Sequence, residues 1–303
     1  MNKVVFATYA QSNEELANII TMTESIRQFA GKYKDAPVWV YVSEYFDTPD
    51  SIFLKNLTGL DVELKTGHAP EDAMWFYYAG KTYASGEAEA AAEKAGADIL
   101  IWMDEDTVIL QEPEKLILGE NIGLAYRPVM HNRSGSLYSE PPDQFWSRIY
   151  EKLKITDEML FPMVTPADNQ TIRAYFNAGL LAVRPRYGIL RAWGESFKIL
   201  YTDSVLADMC RSDVERRIFI HQTALVGAVL PRLDRSQMIE LPGTYNYPLF
   251  FNQMFESSEE FESIDDIVTM RYDVYFRNPD PDWSQKLQGP PEKIAWLTAR
   301  LGE

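Results

Sequence analysis

A short apolar run that ends directly in three acids constrains this chain more than any other feature. Residues 99–103 read Ile-Leu-Ile-Trp-Met, and Asp104, Glu105 and Asp106 follow without a gap. An uninterrupted apolar run of this length predicts a strand that is covered on both faces, as in a parallel sheet. Ligands of open α/β sheets bind beyond the carboxyl ends of the strands. The three acids are therefore predicted to lie at a ligand-binding edge.

The first 110 residues alternate between strand and helix patterns. Strand candidates at 4–7, 38–42, 62–64 and 99–103 are separated by helical patterns at 16–30, 50–57 and 75–95. Asn13, followed by two glutamates, is the predicted N-cap of the first helix. This alternation predicts an α/β fold with a central, mostly parallel mixed sheet of Rossmann-like connectivity, flanked by helices.

The second half of the chain is less regular. It contains strand candidates at 122–126, 175–183 and 267–272, and helical patterns at 144–153, 191–209, 217–230 and 292–301. Residues 127–142 are polar, contain Gly and Pro, and predict a long loop. A loop of this length in a compact domain usually works as a lid or a binding loop. Because we find no repeat and no linker, a single domain over residues 1–303 is expected.

The composition restricts the partners and the compartment. The 303 residues include 29 Lys and Arg against 45 Asp and Glu, which gives a net charge of −16. Such a surface repels nucleic acid and anionic lipid, so neither is expected as a partner. One cysteine, Cys210, allows no intrachain disulfide. With no apolar stretch long enough to span a membrane, the sequence predicts a cytoplasmic protein without a transmembrane segment.

The acids after the fourth strand suggest a metal ion. In an extended segment residues two apart share a face, so Asp104 and Asp106 are predicted to converge while Glu105 points away. Two close carboxylates repel each other unless a positive charge lies between them. Mg²⁺ or Mn²⁺ would fit, because these ions prefer oxygen ligands and commonly combine carboxylates with phosphates. The pair alone is also compatible with a solvated strand end in an acidic protein.

Three later segments give these acids a family context. They are Phe176-Asn177-Ala178-Gly179 before an apolar strand, His221-Gln222 on a helix, and Leu241-Pro242-Gly243-Thr244-Tyr245-Asn246. Together with the acids, and in this order, they resemble glycosyltransferase family 8, the glycogenin and galactosyltransferase group. The resemblance covers roughly residues 1 to 285. It implies a GT-A fold, a Mn²⁺ or Mg²⁺ cofactor, a UDP-sugar donor, a saccharide or other hydroxyl acceptor, and transfer with retention.

The resemblance also implies roles for residues on the nucleotide side. Asp104 and Asp106 would bind the metal, and Asp104 would also meet the ribose. Thr8 and Tyr9 would meet the base and the ribose, and Lys81 would lie over the phosphates. The nucleotide-binding half would then span residues 1–125.

A second group of residues would act on the sugar side. By the same resemblance, Asn177, Ala178 and Gly179 would contact the donor sugar, and Gln222 would lie near the anomeric carbon and stabilise the oxocarbenium-like state. Asp168, just before this segment, is an acid that could act in catalysis, or a turn residue. Donor sugar and acceptor would occupy residues 126–285, with a C-terminal helix at 286–303.

The chain departs from the family at two positions. His221 stands where the family has an Asp before the equivalent of Gln222. The family's His-containing ending, which supplies a third metal ligand, is replaced by the stretch Arg271-Tyr272-Asp273-Val274-Tyr275-Phe276-Arg277. Asp273 is the predicted substitute, because a carboxylate can replace imidazole on a hard cation.

Two other classes of protein remain open from the sequence. Asp104 and Asp106 also satisfy the motif of haloacid-dehalogenase-type phosphatases, with Asp265-Asp266 as the late acidic pair. In that family, however, the motif follows the first strand. The third class is a nucleotide-sugar-binding relative without turnover, which His221 and the missing histidine of the ending would suggest.

Overall fold

The computed structural model describes residues 2–250, 261–272 and 281–301, and it has the predicted α/β architecture. Its strands in chain order are β1 (Val4–Ala10), β2 (Val38–Ser43), β3 (Val62–Gly67), β4 (Ile99–Met103), β5 (Thr107–Ile109), β6 (Leu124–Tyr126), β7 (Pro162–Val164), β8 (Thr171–Arg173), β9 (Leu180–Val183), β10 (Met238–Glu240), β11 (Tyr247–Pro248) and β12 (Thr269–Arg271). Its α-helices are α1 (Asn13–Phe29), α2 (Ser51–Gly59), α3 (Ala79–Lys94), α4 (Gln144–Leu153), α5 (Ile189–Tyr201), α6 (Ser204–Ser212), α7 (Val214–Val229) and α8 (Pro291–Leu301).

Seven strands form the central sheet in the order β10, β6, β9, β4, β1, β2, β3. Within this sheet of the described residues, β9 alone runs antiparallel to its neighbours, β4 and β6. The remaining pairs are parallel. The sheet is therefore mixed and mostly parallel, as predicted. Because β1 and β4 lie side by side and parallel, their carboxyl ends open onto the same edge.

The central strands are apolar throughout because helices cover both faces of the sheet. Along β4, Leu100 and Trp102 pack into the core formed with α3, α5 and α7. The alternate residues Ile99, Ile101 and Met103 pack into the core formed with α1 and α2. All five are buried, so no position on this strand is left for a polar side chain before the chain reaches Asp104.

A small second sheet is attached directly after the acids. It has the order β11, β12, β5, and β12 pairs antiparallel with β5 so that Arg271 lies opposite Thr107. Helix α8 covers this sheet in a separate apolar cluster. The ring of Trp296 on α8 packs edge-on against Phe29 at the end of α1, with 5.3 Å between the ring centroids. The late part of the chain therefore packs beside the first helix and delivers residues to the acids.

Two helix boundaries differ from the sequence prediction. The helix expected from Trp75 begins at Ala79, and the preceding aromatic residues form turns in which Trp75 and Tyr77 remain exposed. The N-cap of α1 is Ser12 and not Asn13, since the Ser12 hydroxyl accepts a hydrogen bond from the Glu15 backbone N–H at 3.2 Å. In both cases neighbouring residues could each begin the helix, and the spacing of apolar residues does not distinguish between them.

The helix predicted over 191–209 is two helices, α5 and α6. The chain breaks at Thr202 and Asp203, where the Asp203 carboxylate caps α6 by accepting a hydrogen bond from Leu206 N at 3.1 Å. Arg148 and Lys152 of α4 form ion pairs with the same carboxylate, at 2.7 and 2.9 Å. A capping acid with two cationic partners favours a new helix start over continuation.

None of the helices in the described part of the chain has both the length and the apolar character needed to cross a membrane. The division into residues 1–125, 126–285 and 286–303 is not tested by the fold and stays a prediction.

Candidate active site

The two aspartates after β4 converge, but they do so in a turn and not in an extended segment. The backbone N–H of Thr107 donates to the carbonyl of Asp104 at 3.1 Å, which closes a tight turn. Asp104 and Asp106 are buried, at 7% and 1% exposure, while Glu105 between them is partly exposed. The convergence was predicted; the turn that produces it was not.

Two cationic side chains balance the charge of these aspartates. Lys81 Nζ lies 2.5 Å from Asp104 Oδ1. Arg271 donates from Nε and Nη2 to the two oxygens of Asp106, each at 3.0 Å, and its Nη2 lies 3.4 Å from Asp104 Oδ2. A bidentate pair of guanidinium and carboxylate is among the strongest hydrogen-bonded pairs in proteins. The charged centre of the site therefore consists of two cationic and two anionic side chains, whose charges balance.

The fold explains how these cations reach the acids. Lys81 lies in the first turn of α3, which packs on β1, and its side chain is only 8% exposed. Gly80 beside it allows this packing, because a Cβ there would lie 1.9 Å from the Tyr9 hydroxyl. Arg271 ends β12, opposite the residue that follows Asp106. The family resemblance placed Lys81 over the phosphates, which stays a prediction, and gave Arg271 no role.

A cavity of about 140 Å³ lies at the carboxyl ends of β1 and β4, on one side of the charged centre. Thr8, Tyr9, Glu15 and Asn18 are among the residues that line it. Thr8 Oγ1 and Asn18 Nδ2 are buried, and neither has a hydrogen-bond partner among the described residues. Buried polar atoms are rarely left without a partner, so this cavity is suited to a ligand with both donors and acceptors.

Two glutamates of this cavity have raised pKa values. Burial raises the pKa of Glu15 to about 7, and the charges of Asp104 and Glu14 add to the effect. Burial, followed by the charges of Asp106 and Asp104, raises the pKa of Glu105 well above its usual range. The cavity is thus less negative near neutral pH than its count of acids suggests, which reduces the repulsion of an anionic ligand.

A larger cavity, of about 320 Å³, lies on the other side of the charged centre. Its wall contains Asn177, Ala178, Gly179 and Gln222, the residues that the resemblance assigns to the sugar side; those roles stay predictions. The Gln222 side-chain oxygen accepts a hydrogen bond from Ala178 N at 3.1 Å, and the Asn177 side-chain oxygen accepts one from Gly179 N at 2.8 Å. These bonds fix both amide side chains against the backbone segment that precedes β9.

Asn246 is a cavity residue to which the sequence assigned no role. Its Nδ2 donates to Asn177 Oδ1 at 3.1 Å, and its backbone N–H donates to Thr269 Oγ1 at 2.7 Å. The residue has a positive φ of 54°, a conformation that Asn adopts more readily than most residues. Its position at the end of the Leu-Pro-Gly-Thr-Tyr-Asn segment was the available signal.

The predicted binding loop, residues 127–142, contributes to the outer wall of the larger cavity. Met130, His131 and Arg133 of this loop line it, opposite Glu215 and its neighbours on α7. Arg133 Nε lies 2.8 Å from Glu215 Oε1, and both side chains are exposed. This ion pair spans from the loop to the helix at the rim of the cavity.

His221, which stands where the resemblance expects an acid, is buried and neutral. Its Nδ1 donates to the carbonyl oxygen of Ile218 at 2.7 Å, and its ring packs on Tyr78 with 4.4 Å between the centroids. Burial and the nearby charge of Lys81 lower the pKa of His221 well below its usual range. It therefore contributes no charge where a carboxylate would have contributed one.

Three acids named from the sequence are not brought to this site. Asp168 accepts a hydrogen bond from Asn132 N at 2.9 Å and lines neither cavity. Asp265 pairs with Lys293, and Asp266 accepts from Ser263 N at 3.1 Å, so the acidic pair required by the phosphatase hypothesis is not beside Asp104. Asp273 lies outside the described residues.

The described residues do not fit a divalent cation at the acids. Both oxygens of Asp106 are engaged by Arg271, and Asp104 is paired with Lys81. Within residues 2–250, 261–272 and 281–301, no three His, Cys, Asp or Glu side chains are grouped so that they could hold a metal ion. A metal on Asp106 would first have to displace the guanidinium.

Comparison with known proteins gives the same fold and a family. The model of a family described as the Rhodobacterales glycosyltransferase domain matches residues 7–229. The galactosyltransferase LgtC, solved with donor and acceptor sugar analogs, superposes with a TM-score of 0.54 at 15% identity, covering 100% of this chain and 97% of that chain. An active-site mutant of LgtC gives 0.52 at 14% identity with the same coverage. The bifunctional glycosyltransferase WbbM gives 0.50 at 12% identity, covering 98% of this chain and 51% of that one. Comparison with curated proteins finds no match.

The mixed sheet and the solved glycosyltransferases that share its architecture identify the GT-A fold. The chain belongs to the family of the Rhodobacterales glycosyltransferase domain, whose model covers well over half of its length. It is therefore a glycosyltransferase, and the resemblance to the galactosyltransferase group is confirmed at the level of fold.

Proposed function

We propose that this enzyme transfers a sugar from a UDP-sugar to a hydroxyl group of a saccharide or other acceptor, with retention of the anomeric configuration. One observation carries the proposal. The two cavities meet at a charged centre, and both are lined by Tyr78, Lys81, Asp104 and Arg271. A nucleoside in the smaller cavity and a sugar in the larger one would place the connecting diphosphate at that centre.

In this arrangement Thr8 and Tyr9 contact the base and the ribose, and the unpartnered Thr8 hydroxyl gains a partner. Asn177, Ala178 and Gly179 contact the donor sugar. Gly179 supports this role, because even a Cβ there would lie 3.1 Å from Asp104 Oδ2, so the backbone runs close to the charged centre. A ligand at that centre can therefore approach the main chain directly.

Gln222 is proposed to lie near the anomeric carbon. Its side-chain oxygen is held by Ala178 N, which fixes the direction of the amide group. LgtC has an active-site mutant in which a glutamine is replaced by glutamate, which supports an active-site glutamine on this fold. A fixed amide can stabilise charge that develops in the transition state without reorganising. Asp168 has no part in this proposal, because it lines neither cavity.

Binding of Mn²⁺ or Mg²⁺ by Asp104, Asp106 and Asp273 stays a prediction of the sequence. It is not part of this proposal, because both described aspartates are already paired with cationic side chains.

The test is calorimetric titration of UDP, followed by a panel of UDP-sugars assayed for transfer and hydrolysis. Wild type and the exposed-helix control Asn56→Ala should behave alike. Asn177→Ala should lose at least about tenfold in transfer, since it removes the acceptor of two hydrogen bonds in the donor-sugar wall. NMR of the first product would report the anomeric configuration. Absence of binding for UDP, GDP and the other nucleoside diphosphates would contradict the proposal, and an inverted product would contradict retention alone.

A further inference from the structure

Arg271 lies between the two aspartates, where the repulsion of two carboxylates calls for a cation. Its Nε and Nη2 each lie 3.0 Å from an oxygen of Asp106, and Nη2 lies 3.4 Å from Asp104 Oδ2. The guanidinium is planar and always charged, and its fork of donors matches a carboxylate. Arg271 thus supplies the positive charge that the spacing of the acids requires.

The backbone fixes Arg271 in this place. Strand β12 pairs with β5 in a register that sets Arg271 opposite Thr107. The next residue, Tyr272, donates from its backbone N–H to the carbonyl of Asp106 at 3.1 Å. On the other side, Met270 is fully buried. Arg271 is therefore part of the ladder that follows the acids, and its side chain is only 19% exposed.

Arg271 also faces the position proposed for the diphosphate. Of the residues that line both cavities, Lys81 and Arg271 are the two cationic ones. A guanidinium presents five N–H donors in a fixed planar fork. Guanidinium groups bind phosphate oxygens with the same bidentate geometry that they use with carboxylates.

A divalent cation and Arg271 would compete for the same oxygens. Mg²⁺ binds carboxylate oxygens at about 2.0 to 2.1 Å in near-octahedral geometry. Such an ion on Asp106 would occupy the place that the guanidinium now has. It would also be repelled by the positive charges of Lys81 and Arg271. The described carboxylates are neutralised by protein cations, which removes the electrostatic reason for a metal.

We propose that Arg271, together with Lys81, binds the donor diphosphate in place of a divalent cation, so that donor binding does not require a metal. This inference rests on the proposed function, because it assigns the cation of that same site. Asp104 and Asp106 are then positioning residues, which hold the ammonium and the guanidinium toward the junction of the two cavities.

The transfer reaction needs no further reactant beyond the donor, the acceptor and these two cationic side chains. The bond between the anomeric carbon and the diphosphate oxygen breaks, and its electron pair goes to that oxygen. The acceptor oxygen forms the new bond to the anomeric carbon, and its proton goes to the departing diphosphate. Arg271 and Lys81 remain protonated throughout and stabilise the developing negative charge by hydrogen bonds.

The first experiment is calorimetric titration of UDP into the wild-type protein, once with EDTA and once with Mn²⁺. We expect the two dissociation constants to agree within about threefold, because the diphosphate meets protein cations in both cases. Arg271→Gln should weaken UDP binding in EDTA by about tenfold or more, since one charged partner of the diphosphate is lost. Arg271→Lys keeps the charge without the fork and should lose less.

The matched control is Arg211→Gln on α6, which removes an exposed arginine whose ion pair within the described part of the chain is with Asp208 on the same helix. Circular dichroism and thermal unfolding of each variant would show that it is folded. Because Arg271→Gln leaves Asp106 buried without this partner, a loss of folding in that variant would shift the test to Arg271→Lys, which keeps a cation beside both acids.

The outcomes separate the inference from the proposed function. Wild type that binds UDP with Mn²⁺ but at least about tenfold more weakly with EDTA would overturn the inference and leave the proposed function standing. The same conclusion would follow if a folded Arg271→Gln bound UDP as tightly as wild type. Absence of binding for any nucleoside diphosphate under either condition would overturn both.

Discussion

Gly179 and Arg271 are so close that a single methyl group on Gly179 would press tightly against the guanidinium. A Cβ on Gly179 would lie 3.0 Å from Arg271 Nη1 and 3.1 Å from Asp104 Oδ2. The backbone segment proposed to contact the donor sugar therefore runs directly against the charged centre. A methyl group at residue 179 would require the guanidinium, the Asp104 carboxylate and the Asn177 amide to give by a few tenths of an ångström.

Gly179→Ala should weaken UDP binding by roughly tenfold with little change in stability. Its backbone does not have a positive φ, so alanine meets no conformational strain there. The new methyl group would instead press on Arg271 Nη1, which must shift by a few tenths of an ångström. Calorimetry with UDP measures the effect, and Gly59→Ala is the control, since nothing lies within 4 Å of a Cβ at that position. Unchanged UDP affinity in the 179 variant would show that the guanidinium does not touch the ligand.

Gln222→Ala should lower the transfer rate by about a hundredfold while UDP affinity changes by less than about threefold. Gln222 lines the larger cavity and not the smaller one, so its loss removes the contact proposed for the sugar and leaves those proposed for the nucleotide. Steady-state kinetics with the active donor, combined with UDP titration, separates the two effects. Gln170→Ala, at an exposed position, is the control. A large loss of UDP affinity would instead place Gln222 beside the nucleotide.

Arg271→His should make UDP binding dependent on a metal. The substitution removes the guanidinium from Asp106 and places an imidazole near two carboxylates, which together form a set of three metal ligands. We expect Mn²⁺ to strengthen UDP binding to this variant by about tenfold or more, and to raise its melting temperature, because the metal restores the missing positive charge. The same additions should leave wild type and Arg211→His nearly unchanged. If Mn²⁺ changes neither the UDP affinity nor the melting temperature of Arg271→His, then the acids and the new histidine do not form a metal site.

The sequence was sufficient to predict the sheet and the position of the acids. The runs that form β1, β2 and β4 are apolar throughout because helices cover both faces, and this composition is visible without a structure. Asp104 and Asp106 could be assigned to the strand-end edge because they follow β4 without a gap. Asn177 and Gln222 could be placed near them only through the family resemblance.

The partner of the acids could not be predicted in the same way. Arg271 is separated from Asp106 by 165 positions, and the two meet because β12 pairs with β5 in one particular register. A slip of one residue would turn the arginine to the other face of this small sheet. Strands of three residues carry too little periodicity to reveal their register. The available signal was an arginine in the segment that replaces the family's histidine.

Some local errors have a common physical origin. The predicted helix over 191–209 follows apolar periodicity, yet the chain breaks where Asp203 can cap a new helix and pair with Arg148. The cap is local, but the ion pair that holds the capping carboxylate depends on α4, which is distant in sequence. Tertiary partners therefore decided a boundary that the local pattern left open.

The raised pKa of Glu15 predicts that the protein loses stability as pH rises from about 4.5 to 7. Burial disfavours the charged carboxylate, so the native state keeps its proton up to a pH of about 7, whereas the unfolded chain releases it near 4.5. The native state therefore binds more protons within this window, and its stability falls as pH increases through it. Above a pH of about 7 Glu15 is ionised in both states, and its effect on stability no longer changes with pH.

Glu15→Gln tests this effect, since glutamine cannot ionise and its side-chain oxygen can still accept the hydrogen bond from Gln11 N. Relative to wild type, the variant should be more stable at pH 8 than at pH 5, so that its free energy of unfolding is larger by roughly 1 to 3 kcal/mol. Urea denaturation at the two pH values measures it, and Glu195→Gln, on the exposed side of α5, is the control. The charges of Asp104 and Glu14 contribute to the shift, so Glu14→Gln should move the midpoint of the wild-type pH dependence to lower pH. If the stability difference between Glu15→Gln and wild type does not change with pH, then the Glu15 carboxylate is solvated in the native protein and the smaller cavity is more negative than proposed.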